Sequence, residues 1–184
     1  MSCVRWCVAV AILAMPAAGS LARAQDVTEL SLKAAVVYNL AKFVEWPAEA
    51  MPATGAFTAC VFGDDAAADA LARIVKGRLI GGKAVNVVRV RIESPLKTCH
   101  LLYVPRGSSA QLATILAAVR DVPVLTISDI QNFVALGGVA ELFVESGRIR
   151  FNVNLDVARR SRVRFSSDVL ALAVHVQGAP GGEK

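Results

Sequence analysis

Three short apolar runs, each followed at once by polar turn residues, restrict this chain to a fold built on a β-sheet. The runs are rich in β-branched and aromatic side chains and lie at residues 57–63, 99–104 and 123–127. Segments with helical patterns connect them at residues 66–75, where we expect Asp64 as the N-cap, and at residues 108–119. Strands that alternate with helices usually pair in parallel. We therefore predict a single α/β domain whose mixed, mostly parallel sheet is flanked by helices.

Further elements are predicted before, between and after these runs. Residues 26–45 carry a broad apolar stripe and predict a helix that Asp26 caps and Pro47 ends. Residues 83–92 alternate in part and predict a strand with one exposed face, near a sheet edge. The C-terminal part predicts a β-hairpin and two short helices. These lie at residues 139–144 with 149–153, then 155–160 and 166–174.

The N-terminus has the pattern of a secretory signal peptide. Arg5 precedes an apolar stretch at residues 8–18, and Ala22-Arg23-Ala24 forms a small-x-small cleavage site. The stretch is shorter than the about 20 residues that a membrane-spanning helix needs. We therefore expect export to the periplasm. The expected parts are a removed signal peptide at 1–24, a mature domain at 25–176 and a disordered tail at 177–184.

The charge balance of the mature chain does not favour a nucleic-acid partner. Loss of Arg5 and Arg23 with the signal leaves 18 basic against 15 acidic residues, a formal charge of +3. Basic residues gather near the C-terminus, where we expect a solvated face. The alternative is a surface for an acidic partner or anionic headgroups. These residues are Arg148, Arg150, Arg159, Arg160, Arg162 and Arg164.

Two cysteines, Cys60 and Cys99, remain after the predicted cleavage, because Cys3 and Cys7 leave with the signal. Oxidation in the periplasm would join two positions that lie 39 apart in the sequence. The bond would lower the entropy of the unfolded chain and so stabilise the fold by about 4 kcal/mol. The bond is either a structural clamp or a redox-responsive switch. Two cysteines alone make no structural zinc site, and their separation excludes a CxxC oxidoreductase, so we predict no metal.

The sequence carries no recognisable catalytic arrangement. His100 and His175 are its two histidines, and no nucleophile with a matching acid can be placed around either of them. Each is interpreted as a packed or surface histidine. We therefore predict no catalytic residue and no cofactor.

Polar residues that follow the predicted parallel strands favour a ligand site. They should meet at the carboxyl edge of the sheet, where open α/β folds bind ligands. Ser108 or Ser109 at the start of a helix, beside Arg106, would offer amides and a guanidinium to a carboxylate or phosphate. The alternative is that they are ordinary caps and turn residues. The candidate ligand-binding residues are Arg106, Ser108, Ser109, Ser128 and Asp129.

Apolar residues around the Gly137-Gly138 turn are candidates for contact with a partner protein. Phe133, Leu136 and Val139 flank this turn. Exposure would qualify them, whereas burial is the commoner position for such side chains.

Residues 32–47, LKAAVVYNLAKFVEWP, resemble the N-terminal signature of the YfiR-like family of periplasmic proteins. The similarity continues along essentially the whole mature chain. Its further blocks are residues 60–63, 99–104, 125–129, Phe133, 137–139, 149–154, Ala158, Val163 and 166–170. The order of these blocks together is specific, although each alone is weak.

This resemblance implies a non-enzymatic regulator that binds the periplasmic domain of an inner-membrane diguanylate cyclase and represses it, which controls cyclic di-GMP and biofilm formation. An OmpA-like outer-membrane lipoprotein would withdraw the repressor, and a homodimer is a further candidate assembly. Cys60 and Cys99 match the family's recurrent disulfide, and we expect a structural clamp. The second disulfide of some members has no counterpart, because residues 133–151 contain no cysteine.

Two other functions compete with repression. The first is a periplasmic small-molecule sensor that acts on a membrane receptor such as a histidine kinase, with a pocket around Arg106, Ser108 and Asp129. The second is a hydrolase with an unrecognised site, which no motif favours.

Overall fold

Among the described residues, eight strands form one mixed sheet with helices packed on both of its faces. The computed structural model describes residues 18–51 and 53–178, so the predicted signal residues 1–17 and tail residues 179–184 lie outside it. The helices are α1 (Ala18–Lys42), α2 (Asp65–Val75), α3 (Leu112–Ala118), α4 (Leu155–Arg160) and α5 (Ser167–Leu170). The strands are β1 (Val44–Glu45), β2 (Phe57–Phe62), β3 (Leu79–Ile80), β4 (Lys83–Val90), β5 (Leu101–Val104), β6 (Leu125–Ser128), β7 (Ala140–Glu145), β8 (Arg148–Asn154), β9 (Arg164–Phe165) and β10 (His175–Gln177).

The strand order is β10-β8-β7-β6-β5-β2-β4-β3. Strands β4, β2, β5, β6 and β7 run parallel, and β10 pairs in parallel with β8. The pairs β3–β4 and β7–β8 are antiparallel, and β1 pairs with β9 outside the main sheet. The predicted mixed, mostly parallel sheet with a C-terminal hairpin is therefore confirmed.

One face of the sheet, called the α1 face, packs against α1 and α2. Alternate residues of β2, such as Phe57 and Val61, point to it and are fully buried. Helix α1 contributes Val37 and Ala41 to the same cluster. Helix α2 is rich in buried alanines, and the predicted N-cap Asp64 accepts a hydrogen bond from the Ala67 amide at 2.9 Å. Small side chains on α2 let it approach α1 closely.

The opposite face, called the α3 face, carries a smaller core. Cys60, Leu102 and Val104 point to this side, where Ile115 of α3 and the ring of Phe133 cover them. Helix α3 has seven residues, so its cover of the sheet is short.

The first helix differs from its prediction at both ends. Its described part runs from Ala18, so Asp26 lies within the helix and not at its N-terminus, and the helix ends at Lys42. Val44 and Glu45 leave the helix because they pair with Phe165 and Arg164, a contact that the local sequence does not reveal.

The helix predicted at residues 108–119 is also shorter than expected. Residues Arg106–Gln111 form a 3₁₀ segment with a break at Ser108, and the α-helix begins only at Leu112. Short polar side chains here compete with the helical hydrogen bonds. Cys99 lies in the turn before β5 and not in the strand itself.

The C-terminal part agrees with its prediction through α4 and then departs from it. The helix predicted at residues 166–174 is the single turn of α5, and the following residues form β10. Gln177 is the last residue of this strand, and the carbonyl of Gly178 accepts hydrogen bonds from Arg159.

Candidate functional site

Asp129, directly after β6, gathers several donors at the carboxyl edge of the sheet. Lys33 Nζ lies 2.6 Å from Oδ2, and the Arg106 amide donates to Oδ1 at 2.8 Å. Arg106 Nε lies 3.5 Å from Oδ2, and the Tyr103 hydroxyl donates to Oδ1 at 3.4 Å. The carboxylate is buried, so its charge is balanced inside the protein.

Lys33, on α1, connects this cluster at the sheet edge to the helix. It is buried, and its ammonium also pairs with Glu29 one helical turn earlier at 2.6 Å. Burial lowers the pKa of Lys33, but hydrogen bonds to Asp129 and Glu29 and their negative charges outweigh it, so the pKa is raised above 10.5. Lys33 therefore stays charged and fastens α1 to the sheet edge.

Tyr103 is the neutral member of the cluster. Burial raises the pKa of its hydroxyl strongly, and the negative charge of Asp129 raises it further. The hydroxyl consequently remains a hydrogen-bond donor to Asp129.

The structure brings three of the five predicted ligand-binding residues together. Arg106 and Asp129 are in contact, and the Ser128 hydroxyl beside them donates to the Val104 carbonyl at 2.6 Å and accepts from the Ile130 amide. The Ser128 hydroxyl hydrogen is thus already used within the protein, by β5.

Ser108 and Ser109 do not take the predicted role of opening an α-helix. The Ser108 amide already donates to the Pro105 carbonyl, and Ser109 is exposed on the 3₁₀ segment. Of the two charged residues in the prediction, Arg106 is the one whose side chain reaches solvent, 75 % exposed, over a groove of about 390 Å³.

Lys33 and Tyr103 belong to this cluster and are absent from the sequence-based prediction. A signal for Lys33 exists, since it lies at helical spacing from the stripe residues Leu30 and Val37. A lysine inside an apolar stripe predicts a buried partner of opposite charge.

Cys60 and Cys99 form the predicted disulfide, with their Cα atoms 5.8 Å apart. Both residues are buried, at 1 % and 3 % exposure, in the core of the α3 face. Little of the bond is open to a reductant in solution, which favours the clamp over the switch.

His100, next to Cys99, packs into the protein as predicted. The Thr58 amide donates to Nδ1 at 2.9 Å, so Nε2 carries the proton and donates to the Ala50 carbonyl at 2.9 Å. The ring stacks on Phe57. Burial lowers the pKa of His100, against the effect of these two backbone hydrogen bonds. His175 is exposed.

The three apolar residues predicted to contact a partner have different environments. Phe133 and Val139 are fully buried, which removes them as surface contacts, whereas Leu136 is 58 % exposed. The Phe133 ring lies so close to Gly138 that any side chain there would overlap it. The loop thus turns Phe133 inward and leaves Leu136 at the surface.

The C-terminal arginines lie mostly on a solvated face. Arg159 pairs with Asp156, Arg162 pairs with Glu49 at 3.0 Å, and both arginines are exposed. Such surface pairs contribute little to stability.

In the described part of the chain, no group of three or more metal-binding side chains is found. None of the helices within residues 18–51 and 53–178 is long and apolar enough to cross a membrane.

Two solved structures are similar to this chain. A conserved domain protein from Vibrio cholerae O1 biovar El Tor superposes with a TM-score of 0.57 at 10 % identity, over 80 % of this chain and 60 % of that chain. The ABC domain in complex with L-Trp from Streptococcus pneumoniae gives 0.49 at 12 % identity, over 65 % of this chain and 54 % of that one. The chain therefore spans about three fifths of the length of the Vibrio structure, and the first likeness shows an α/β domain fold alone.

The family is defined more closely by the sequence. The model of the YfiR/HmsC-like family, DUF4154, matches residues 30–174, and the chain belongs to this family. Its members are periplasmic regulators of diguanylate cyclase signalling and are regulatory rather than catalytic.

Proposed function

We propose that this protein represses an inner-membrane diguanylate cyclase by binding its periplasmic domain. The observation that carries the proposal is the family match over residues 30–174, which includes every main-sheet strand except β10. Export by residues 1–24 would place the domain in the same compartment as that partner.

Repression by this route requires occupancy and no turnover. The protein needs to bind the inactive conformation of the cyclase more tightly than the active one. A shift from one per cent to ninety-nine per cent inactive requires about 5.5 kcal/mol of differential binding. An OmpA-like lipoprotein that competes for the same surface would release the cyclase, and a homodimer would double the contacts.

Leu136 is our candidate for a contact residue. It projects 58 % exposed from the loop after Phe133, whose buried ring fixes the loop against the α3 core. An exposed leucine on a well-anchored loop loses little entropy when a partner covers it.

The test combines genetics with a matched pair of surface variants. Deletion of the gene should raise cyclic di-GMP, and pull-down from membranes should recover a diguanylate cyclase. Leu136→Ser should weaken that recovery, whereas Leu79→Ser, at a 53 % exposed leucine on β3, should not. Unchanged cyclic di-GMP in the deletion strain, while the recovered cyclase is expressed, would refute repression.

A periplasmic small-molecule sensor acting on a membrane receptor such as a histidine kinase is the second candidate. The exposed guanidinium of Arg106 over the groove beside Asp129 favours it. A ligand that raises the melting temperature should lose this effect in Arg106→Ala. Equal shifts in wild type and variant would count against a sensor built on this groove.

A further inference from the structure

A second cavity, of about 430 Å³, lies between α3 and α4 on the α3 face, apart from the Asp129 cluster. We propose that it binds a small organic acid, a single carboxylate attached to an aliphatic or aromatic body. This inference is independent of the proposed repression. The volume falls within the range of roughly 300–1,000 Å³ that is typical of small-molecule sites.

One part of the wall of this α3–α4 cavity is apolar. Its aliphatic lining comes from Leu116 and Val119, at the end of α3, from Val157 of α4 and from Leu136. Four aliphatic side chains around one space favour an apolar body, because its contact with them removes their surface from water.

Two hydroxyl groups in the cavity lining can donate to a ligand. Ser161 is 5 % exposed, yet its hydroxyl makes no hydrogen bond with any residue that the structure describes. Thr126 is 3 % exposed and accepts from the Val139 amide at 3.0 Å, which leaves its own hydrogen for a further acceptor. Both hydroxyl groups can therefore donate to an oxygen of a ligand in the cavity.

Two cationic side chains stand at the edge of the cavity without partners. Arg120 and Arg160 are exposed, and neither forms an ion pair with a described residue. Arg159 and Arg162, close by in sequence, are each paired with a carboxylate. Unpaired guanidinium groups beside an apolar space are suited to a carboxylate, with which they form charge-assisted hydrogen bonds.

Asp121 limits the charge that the site accepts. It lines the same cavity, in a left-handed backbone conformation with φ of 57°, and opposes the two arginines. The lining therefore carries a formal charge of +1, which favours a monoanion over a dianion. Asp121→Asn should raise affinity for the acid, since asparagine also tolerates this conformation.

The test is a calorimetric titration of the mature chain with 4-phenylbutyrate, compared with acetate and with the neutral 4-phenylbutyramide. We expect binding of 4-phenylbutyrate, and at least about tenfold weaker binding of the amide and of acetate. Arg160→Gln should weaken the binding of 4-phenylbutyrate by about tenfold. Arg148→Gln, at an exposed arginine in the β7–β8 hairpin, should leave it unchanged. Melting curves of each variant control for folding.

Several outcomes would overturn the proposal. These are no binding of 4-phenylbutyrate at millimolar concentration, equal binding of acid and amide, and equal losses in Arg160→Gln and Arg148→Gln. If only Arg106→Ala lost binding of 4-phenylbutyrate, the acid would bind in the groove beside Asp129. That result would also contradict a site in the α3–α4 cavity.

Discussion

The two faces of the sheet achieve stability by different means. On the α1 face, helices α1 and α2 cover a large apolar cluster, and the buried Lys33–Asp129 ion pair fastens α1 to the sheet edge. On the α3 face, the covering helix has seven residues, the Cys60–Cys99 disulfide crosses the core, and a cavity lies beside α4. Where helical cover is short, a covalent bond can replace part of the missing burial and leave space for a ligand.

The two faces also differ in whether their charged side chains are paired. At Asp129, every formal charge lies against an opposite one within the protein. At the α3–α4 cavity, Arg120 and Arg160 have no such partner among the described residues. A cluster of charges is therefore weak evidence for a ligand, whereas unpaired charge beside an apolar space is stronger evidence.

The largest effect should come from removal of the disulfide. Cys60→Ser combined with Cys99→Ser should lower the free energy of unfolding by about 4 kcal/mol, because the denatured chain regains the loop entropy. Urea unfolding measures this, with dithiothreitol-treated wild type as the control. A fully folded double variant that no longer represses would instead make the bond a switch.

Loss of the buried carboxylate should be the next largest effect. Asp129→Asn leaves Lys33 buried with Glu29 as its remaining partner, so we expect a loss of about 3 kcal/mol in urea unfolding. Asp156→Asn, in the exposed pair with Arg159, should cost less than about 1 kcal/mol. Lys33→Met added to Asp129→Asn should recover part of the loss. Equal costs for the two single variants would show that the α1 face does not depend on this ion pair.

A smaller effect should appear in mild acid. The pKa of His100 is lower in the folded protein than in the unfolded chain, so its contribution to stability is complete above about pH 6.5. That contribution is lost as the pH falls through the folded pKa, because the unfolded chain binds the proton more readily. Urea unfolding between pH 7.5 and pH 5 should show the slope in wild type and a reduced slope in His100→Gln. An identical slope in both would assign the effect to other groups.

The smallest effect on stability should be at Leu136. Leu136→Ser removes a side chain that is mostly in water, so the free energy of unfolding should change by no more than about 0.5 kcal/mol. Binding of the partner protein should nevertheless be weakened. A large destabilisation would mean that Leu136 closes the α3–α4 cavity as part of the core.

The sequence predicts the elements whose stability is local. Strand β2, the cap of α2 at Asp64 and helix α4 all follow from short patterns of apolar residues, caps and glycine. The pairs β1–β9 and β8–β10 were not predicted, because β1, β9 and β10 have only two or three residues and exist only through partners distant in the chain.

In the candidate sites, too, some features follow from the sequence and others depend on the folded chain. The disulfide pairing was predicted, because two cysteines remained to be joined. The role of Lys33 depended on its burial beside Asp129, and the exposure of Leu136 depended on the inward turn of Phe133. The α3–α4 cavity depends on helices that meet only in the folded chain.

The short segment around β1 joins parts of the chain that lie far apart in sequence. The Trp46 indole donates to the His100 carbonyl at 3.1 Å, and the Ser166 amide donates to the Phe43 carbonyl at 3.1 Å. The C-terminal residues are thus held through β1 to the neighbour of Cys99 instead of forming a separate unit. In native-state hydrogen exchange, the amides of β1 and β9 should open together with those of β2, and neither end of the described fold should fray independently of its centre.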